Sequence, residues 1–253
     1  MKGLKLLSLV VPAYKQEKTI VKDIENLNKV LSSLRYKYEI LVVVDGFLDK
    51  TYNVLKNQKS KIKNLKLLGY EKNHGKGYAV KYGVREAEGD IIGFIDAGMD
   101  LDASEISLML DTMDWNNADI VLGSKLHPDS KVNYPVDRKI LSWGYRSLTH
   151  LLFGFNVRDT QVGIKFFKKK VAKDVFSKII IKRFAFDVEV LAVSYKLGYT
   201  KICEAPIKLN FRGANTITSS SFWNVIFSML WDTFAVFYRL RILHYYNKHL
   251  NKI

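Results

Sequence analysis

Five short apolar runs, rich in β-branched residues, recur through the first half of the chain: "LLSLVVPAY", "YEILVVVDG", "NLKLLGYE", "GDIIGFIDA" and "ADIVLGSK". No other feature restricts the fold as strongly. Each run is apolar without alternation, which reads as a strand buried on both faces. Between the first two lies "TIVKDIENLNKVLSSLR", where Ile20, Ile24, Leu27, Leu31 and Leu34 recur at helical spacing. A second amphipathic stretch follows "NHGKG", with Ala79, Val80, Gly83 and Val84 on one side. Buried strands alternating with such helices predict an α/β fold, a mostly parallel sheet covered by helices. At 253 residues the chain can form one large domain with a real core, or two halves sharing a cleft. A composition of 48% hydrophobic and 26% charged residues excludes disorder for most of it. The single cysteine, Cys203, cannot form an internal disulfide and suits a reducing compartment. "MKGLKLLSLVVPAYK" begins like a signal peptide, but its apolar run is short, lacks a small-residue cleavage pattern and leads into charged residues. It reads as the first strand. No stretch reaches the ~20 apolar residues that a membrane-spanning helix needs.

The net charge of +15 is unevenly placed. Residues 1–125 hold 19 Lys and Arg against 17 Asp and Glu, whereas residues 126–253 hold 21 against 8. No acidic residue follows Asp232. A half this basic implies an anionic partner: nucleic acid, acidic lipid head groups or a phosphorylated substrate. No nucleic-acid-binding motif accompanies the charge, so nucleic acid is not expected.

In an open parallel sheet, ligands bind beyond the carboxyl ends of the strands. Here the apolar runs end in "PAYKQE", "DG", "EKNHGKG", "DAGMD" and "GSK", which would bring acids, lysines and glycines to one rim. Any one of these could be a helix cap or a turn. Five together suggest a site, and glycine beside lysine suggests phosphate. "HGKG" lacks the Walker spacing, and no G-x-G-x-x-G follows the first strand, which argues against a dinucleotide-dependent oxidoreductase.

"VVPAYKQEKTI", "VVVDGFLDKT", "NHGKGYAVKYGV", "GDIIGFIDAGMD", "DIVLGSK", "DTQVGIKFF" and "FAFDVEV" occur in this order. Together they resemble the GT-A-fold, family 2 glycosyltransferases, and within them the polyprenyl- and dolichyl-phosphate sugar synthases. The resemblance implies a GT-A, Rossmann-like sheet. It implies transfer of a hexose, with inversion, from a nucleoside-diphosphate sugar to a polyprenyl or dolichyl phosphate, by an enzyme peripheral on the cytoplasmic face of a membrane. "DTQVGIKFF" and "FDVE" favour UDP-glucose over GDP-mannose. The charge shift and the loop "LHPDSKVNYPVDR" set a boundary near Lys125, so that residues 1–125 would be the nucleotide-sugar half and 126–212 the acceptor half of one domain. Residues 213–253 read as an amphipathic membrane-interface or dimerisation tail.

Carried over by position, the resemblance gives Pro12, Ala13, Tyr14 and Glu17 to the nucleoside pocket, with Asp45 accepting hydrogen bonds from the base. Lys76 falls near the base or diphosphate, and Asp96 and Ala97 lie against ribose and diphosphate, with Asp96 facing a metal. Lys125, Arg138 and Ser142 match positions that hold the acceptor phosphate; Arg138 and Ser142 are one helical turn apart. Asp159, Gln161 and Asp187 match acidic blocks near the sugar, with Asp159 and Asp187 as catalytic candidates beside Asp96. Three departures stand out. Lys15-Gln16 replaces the usual Asn-Glu pattern, Phe47 follows Asp45-Gly46, and the usual Asp-x-Asp is Asp96-Ala97-Gly98. The resemblance implies a divalent metal, Mg²⁺ or Mn²⁺; with the second acid lost it would be weakly held by Asp96 with Asp100, since such ions need only one or two carboxylates when substrate phosphates complete the shell.

In "SSSFWNVIFSMLWDTFAVFYRLRILHYYNKHL", Ser221, Asn224, Ser228, Asp232 and Arg239 form a narrow polar stripe on an otherwise apolar helix. It reads as a buried core helix, as a helix lying in the membrane interface, or as a dimer contact of a homo-oligomer. Alternative functions are a family 2 transferase with a soluble or polysaccharide acceptor, which would need Asp159 or Asp187 as general base, and a non-catalytic nucleotide-sugar binder.

Overall fold

All five expected strands form, and the first shows why the sheet is layered as it is. β1 (Leu6–Ala13) alternates its side chains between two cores: Leu7, Leu9 and Val11 enter one, while Val10 enters the other. The same holds for β2 (Lys37–Asp45), with Val42 and Val44 on one side and Leu41 and Val43 on the other. The computed structural model describes residues 5–58, 61–97, 105–133, 136–183, 185–210 and 219–247, with backbone alone at 133, 136–140, 210 and 219–223.

β3 (Leu65–Tyr70), β4 (Ile91–Ile95), β5 (Ile120–Ser124), β7 (Ile164–Lys168) and β8 (Ile202–Pro206) complete a seven-stranded sheet of order β3-β2-β1-β4-β7-β5-β8. β6 (Lys131–Asn133) and β9 (Lys208–Asn210) form a separate parallel pair. The helices are α1 (Ile20–Ser32), α2 (Thr51–Lys56), α3 (Lys76–Glu86), α4 (Glu105–Trp115), α5 (Val136–Phe153), α6 (Lys169–Lys178), α7 (Phe186–Lys196) and α8 (Ser219–Phe237). α1 buries Ile20, Ile24, Leu27 and Leu31 at the spacing read from sequence; Leu34 lies beyond its end and packs only partly. α3 buries Ala79, Val80, Gly83 and Val84, as expected. α1 and α4 cover one face, and α3, α6 and α7 the other.

The sheet is mixed rather than wholly parallel. β7 runs antiparallel between β4 and β5, a strand the apolar pattern did not reveal because Lys165 interrupts it. Its direction follows from its ends. The Lys125 backbone N–H donates to Asp159 Oδ2 at 3.0 Å, and the Asp96 N–H donates to the Gly163 carbonyl at 2.9 Å. The segment from β5 to β7 therefore leaves and re-enters at the same rim, so β7 must run away from it. β7 and β8 come from the second half of the chain, so the sheet runs unbroken past residue 125.

At the opposite end of the strands, Glu39 is buried and accepts hydrogen bonds from Ser8 Oγ and the Glu88 N–H, with Lys66 Nζ at 2.7 Å. Burial opposes its charge, but Lys66, Ser8 and the Glu88 N–H outweigh that and hold its carboxyl below 4.5. A carboxyl depressed in the folded state contributes stability above its unfolded pKa, and loses it as pH falls through the folded value. Glu39→Gln is therefore expected to cost about 1–3 kcal/mol at neutral pH and to flatten the loss of stability between about pH 5 and pH 3, read by denaturant melts across that range.

The described part of α8 is not a core helix: from 224 to 237 only Thr233 and Val236 are buried. Phe227, Trp231, Phe234 and Tyr238 are exposed at spacings of one helical turn, and Trp231 is 77% exposed. α5 packs beside α8, the Tyr145 and Thr233 hydroxyls meeting at 2.7 Å, and itself exposes Leu141, Trp143 and Leu151. No helix among the described residues is long and apolar enough to cross a membrane.

Candidate active site

The strand order reverses at β1, with β2 and β3 on one side and β4 on the other. A crevice outside the carboxyl ends of β1 and β4 is where such sheets bind ligands. Pro12 and Ala13 end β1, and Asp96 and Ala97 follow β4. Asp96 is half-exposed, and Lys76 reaches it from the first turn of α3: Nζ lies 2.7 Å from Oδ1 and 2.9 Å from Oδ2. The ammonium also sits over the rings of Phe94 and Phe186, at 5.8 and 5.5 Å from their centroids. Burial alone would lower the Lys76 pKa, but Asp96 and then Asp187 outweigh it and raise the pKa above its usual value.

Gly163 makes room for this carboxylate. A Cβ there would stand 2.1 Å from Asp96 Oδ2. Gly163→Ala is expected to displace Asp96 and lower turnover about 10²-fold, on the scale of an ångström misplacement at a reacting centre. The melting temperature should change by only a few degrees, because the clash is with a partly exposed side chain. Steady-state rates and a thermal melt check both parts.

Asp45, expected to face a nucleobase, turns inward. Its carboxylate is 3% exposed and accepts four hydrogen bonds: from Tyr70 Oη and the His74 N–H on Oδ1, and from Asn73 Nδ2 and the Gly75 N–H on Oδ2. Four donors fill a carboxylate's acceptor sites. Asp45 thus anchors the loop that delivers Lys76. Gly75 in that loop has φ +97°, and a Cβ on it would lie 2.6 Å from the Lys182 carbonyl, so only glycine fits.

Glu17 also binds protein. Oε2 accepts from the Lys50 N–H at 2.9 Å, while the Glu17 N–H reaches Asp49 Oδ2 at 3.3 Å, stitching the β1 and β2 loops together. Tyr14 stands exposed at the rim.

Asp159 is buried, with Lys125 on it: the backbone bond above, and Nζ at 3.5 Å from Oδ2. The Asp159 and Arg158 N–H groups both donate to Glu204 Oε1 at 3.0 Å. Gln161 donates its N–H to Asp159 Oδ1. Lys125, Asp159 and Gln161 are thus gathered at the β5–β7 end of the rim. Ser142 is exposed on α5; Arg138 lies on the same helix, but its side chain is outside the described residues, as are Gly98 and Asp100.

Asp187 lies beneath the site rather than at its surface. It is 3% exposed and pairs with Lys165, which is fully buried and also donates to the Val162 carbonyl at 2.7 Å. Burial pushes the Asp187 carboxyl up and the Lys165 amine down. Within the protein, its charge bears on Lys76, and its partner fixes the 162–163 turn on which Asp96 rests. Lys165 was missed in the sequence, although a lysine inside "VGIKFF" demands a buried partner. Glu189, two residues beyond Asp187, is buried too. It accepts from the Ile180 and Ile181 N–H groups, Tyr246 Oη and Arg239 Nη1, tying the C-terminal segment to the loop behind Gly75.

Among the described residues, no group of three or more His, Cys, Asp or Glu side chains converges as a metal cage. One outward carboxylate, Asp96, suits a hard divalent ion whose remaining ligands are phosphate oxygens and water. Two clefts lie elsewhere, one of about 380 Å³ between α3 and α6 and one of about 450 Å³ at the opposite ends of the strands. Neither is lined by Asp96, Asp159 or their partners.

Residues 8–176 match the family described as Glycosyl transferase family 2. The chain is 34% identical over 213 residues to dolichyl-phosphate beta-glucosyltransferase ALG5A of Trichomonas vaginalis, covering 81% of this chain and 65% of that relative's length. It is 28% identical over 262 residues to the UDP-N-acetylglucosamine--dolichyl-phosphate N-acetylglucosaminyltransferase of Methanococcus voltae, covering 94% and 96% of the two chains. Its fold matches a glucosyl-3-phosphoglycerate synthase from Mycobacterium tuberculosis in complex with Mn²⁺, UDP and phosphoglyceric acid. The TM-score is 0.64 at 17% identity, over 92% of this chain and 78% of that one. With this sheet, this switch point and a family match over more than half its length, the chain belongs to glycosyl transferase family 2 and has its GT-A architecture.

Proposed function

We propose that this protein transfers a hexose, with inversion, from UDP-glucose to a dolichyl or polyprenyl phosphate at a membrane surface. The observation that carries the reading is the rim itself. It has an Asp96–Lys76 pair at the β1/β4 switch point and a Lys125–Asp159 pair at its far end, with a helix bearing an exposed apolar face leaving from beyond Lys125. Dolichyl phosphate stands in the names of both relatives described above, the glucosyltransferase of Trichomonas vaginalis and the N-acetylglucosaminyltransferase of Methanococcus voltae.

A phosphate monoester is already anionic near neutral pH, so its oxygen attacks without a general base. The protein must align it behind the anomeric carbon and offset repulsion between two phosphate-bearing substrates. Lys125, with Arg138 and Ser142 from α5, would hold the acceptor phosphate. Asp159, fixed by Glu204 and Lys125, would orient sugar hydroxyls. Lys76 would meet the diphosphate. A divalent ion at Asp96 would supply charge stabilisation to the departing diphosphate. Residues 1–125 would serve the donor and 126–212 the acceptor, with residues 213–253 as the docking tail.

The exposed stripe of α8 and the exposed apolar residues of α5 are large for a protein surface in water. With Arg241 and the acid-free tail beside them, they fit a membrane interface bearing anionic lipids, with the protein peripheral on its cytoplasmic face. Trp231→Glu with Leu151→Glu is expected to reduce co-flotation with vesicles containing anionic lipid at least about tenfold, and transfer to a water-soluble short-chain acceptor should persist.

The Methanococcus relative, matched along nearly its whole length, favours a second reading in which the donor is UDP-N-acetylglucosamine. Labelled UDP-glucose, UDP-N-acetylglucosamine and GDP-mannose, each offered with dolichyl phosphate and Mg²⁺ or Mn²⁺, decide between them. Organic-extractable label from UDP-glucose supports the first reading, and label from UDP-N-acetylglucosamine the second. Donor bound or hydrolysed with no lipid label would sink the lipid-phosphate acceptor and leave a soluble acceptor or a binder.

A further inference from the structure

Lys76 and a divalent cation claim the same carboxylate. In this structure the ammonium rests on both oxygens of Asp96, 2.7 and 2.9 Å away, and the usual second acid of the motif is Gly98. Nothing in the sequence at that position can share the load. We propose that Lys76 is a built-in counter-cation: it holds Asp96 when no donor is present and moves onto the diphosphate when the donor binds, releasing Asp96 to the metal.

The surroundings of Lys76 suit such an exchange. Its ammonium lies over the rings of Phe94 and Phe186, whose faces favour a cation without fixing its direction. Asp187 lies below and bears on Lys76 electrostatically, so the ammonium keeps an anionic neighbour when it leaves Asp96. The backbone that delivers it is fixed, by Asp45 on the Gly75 N–H and by the close approach of Gly75 to Lys182, so movement is confined to the side chain. Asp96 is equally held, by Gly163 beneath and the Gly163 carbonyl on its N–H. A flexible cation between two fixed anions, one permanent and one brought by the substrate, makes metal and nucleotide binding interdependent. Metal would bind poorly to the free protein and well after the diphosphate has drawn Lys76 away, which gives ordered loading of the site at Asp96.

The inference rests on the nucleotide-sugar reading, and its test needs no acceptor and no turnover. Mn²⁺ binding to the full chain is followed by the loss of its free electron-paramagnetic signal, with and without UDP, for wild type, Lys76→Met and Lys76→Gln. Wild type should bind Mn²⁺ weakly alone and about tenfold or more tightly with UDP. By linkage, Mn²⁺ should tighten UDP by the same factor. In either variant, Mn²⁺ should bind the nucleotide-free protein about tenfold more tightly than in wild type, with the UDP-linked gain reduced. Lys76→Gln, which retains a polar end, serves if Lys76→Met fails to fold by circular dichroism. Unchanged Mn²⁺ affinity in the UDP-free variant, or a UDP-linked gain equal to that of wild type, overturns the exchange while leaving the donor site standing. Failure of UDP to bind wild type under any condition removes the donor site and the exchange together.

Discussion

Asp96→Asn is expected to slow sugar transfer by about 10²–10³-fold, the range seen when a group that stabilises transition-state charge is removed. The carboxylate stands at the end of β4 beside the switch point, half-exposed as a side chain, with Lys76 Nζ close to both oxygens and Gly163 against Oδ2. Asparagine keeps the shape and the N–H bond to Gly163, so the substitution removes charge with little change in packing. Its effect should fall on kcat more than on acceptor KM, because the charge it helps offset develops as the diphosphate leaves. Stability should change little, because a partly exposed ion pair contributes only about 0–1 kcal/mol. Steady-state kinetics with a thermal melt test both. A loss of activity matched by a loss of fold would contradict the placement of Asp96 at the reacting centre.

Lys165→Met should have the largest effect on stability, about 3–5 kcal/mol, the cost of leaving one partner of a buried ion pair behind. Lys165 is fully buried, and its two described hydrogen bonds are to Asp187 and the Val162 carbonyl. Removing it strands the buried Asp187 carboxylate without its hydrogen-bonded partner. Pairing Lys165→Met with Asp187→Leu removes both charges, and much of the lost stability should return, since apolar replacement of a whole buried pair is often neutral or better. Activity should not return with it, because Asp187 also balances Lys76 and Lys165 braces the turn under Asp96. Denaturant unfolding of the two single variants and the double variant gives the coupling energy directly. If the double variant regains full turnover, the pair is structural only.

β1, β2, β4 and β5 were legible because burial on both faces writes itself as an apolar run, and β3, an edge strand that is mostly half-buried, still carries Leu65, Leu67 and Leu68 around Lys66. β7 was not, because its register puts Lys165 in the middle of the sheet, and a charge within "IKFFK" breaks the pattern. The antiparallel direction of β7 could not be read either. It depends on both ends of the segment after β5 returning to one rim, a contact over 34 residues between Lys125 and Asp159. In the site, the residues at strand ends were placed by topology alone, so Asp96, Lys76, Lys125 and Asp159 all lie at the expected rim. Which way a carboxylate points is a different matter. Asp45 and Asp187 look the same in sequence as Asp96, yet Asp45 meets four donors from Tyr70 and the 73–75 loop, and Asp187 meets a lysine 22 residues away. Such partners arrive through the fold, and no local pattern names them. In the C-terminal helix, too, the partners come from the fold: Thr233 and Val236 mark the packed side, while the aromatic stripe faces out.

The central claim is that the rim at the ends of β1 and β4 receives the nucleotide. Hydrogen exchange on the whole protein, with and without UDP and Mn²⁺, tests it most directly. The account predicts slower exchange at residues 73–78, 95–97 and 159–163, which carry Lys76, Asp96 and the loop of Asp159 and Gly163. Slowing confined to the α3–α6 cleft, at residues 81–85 and 173–177, with the rim unchanged, would contradict it.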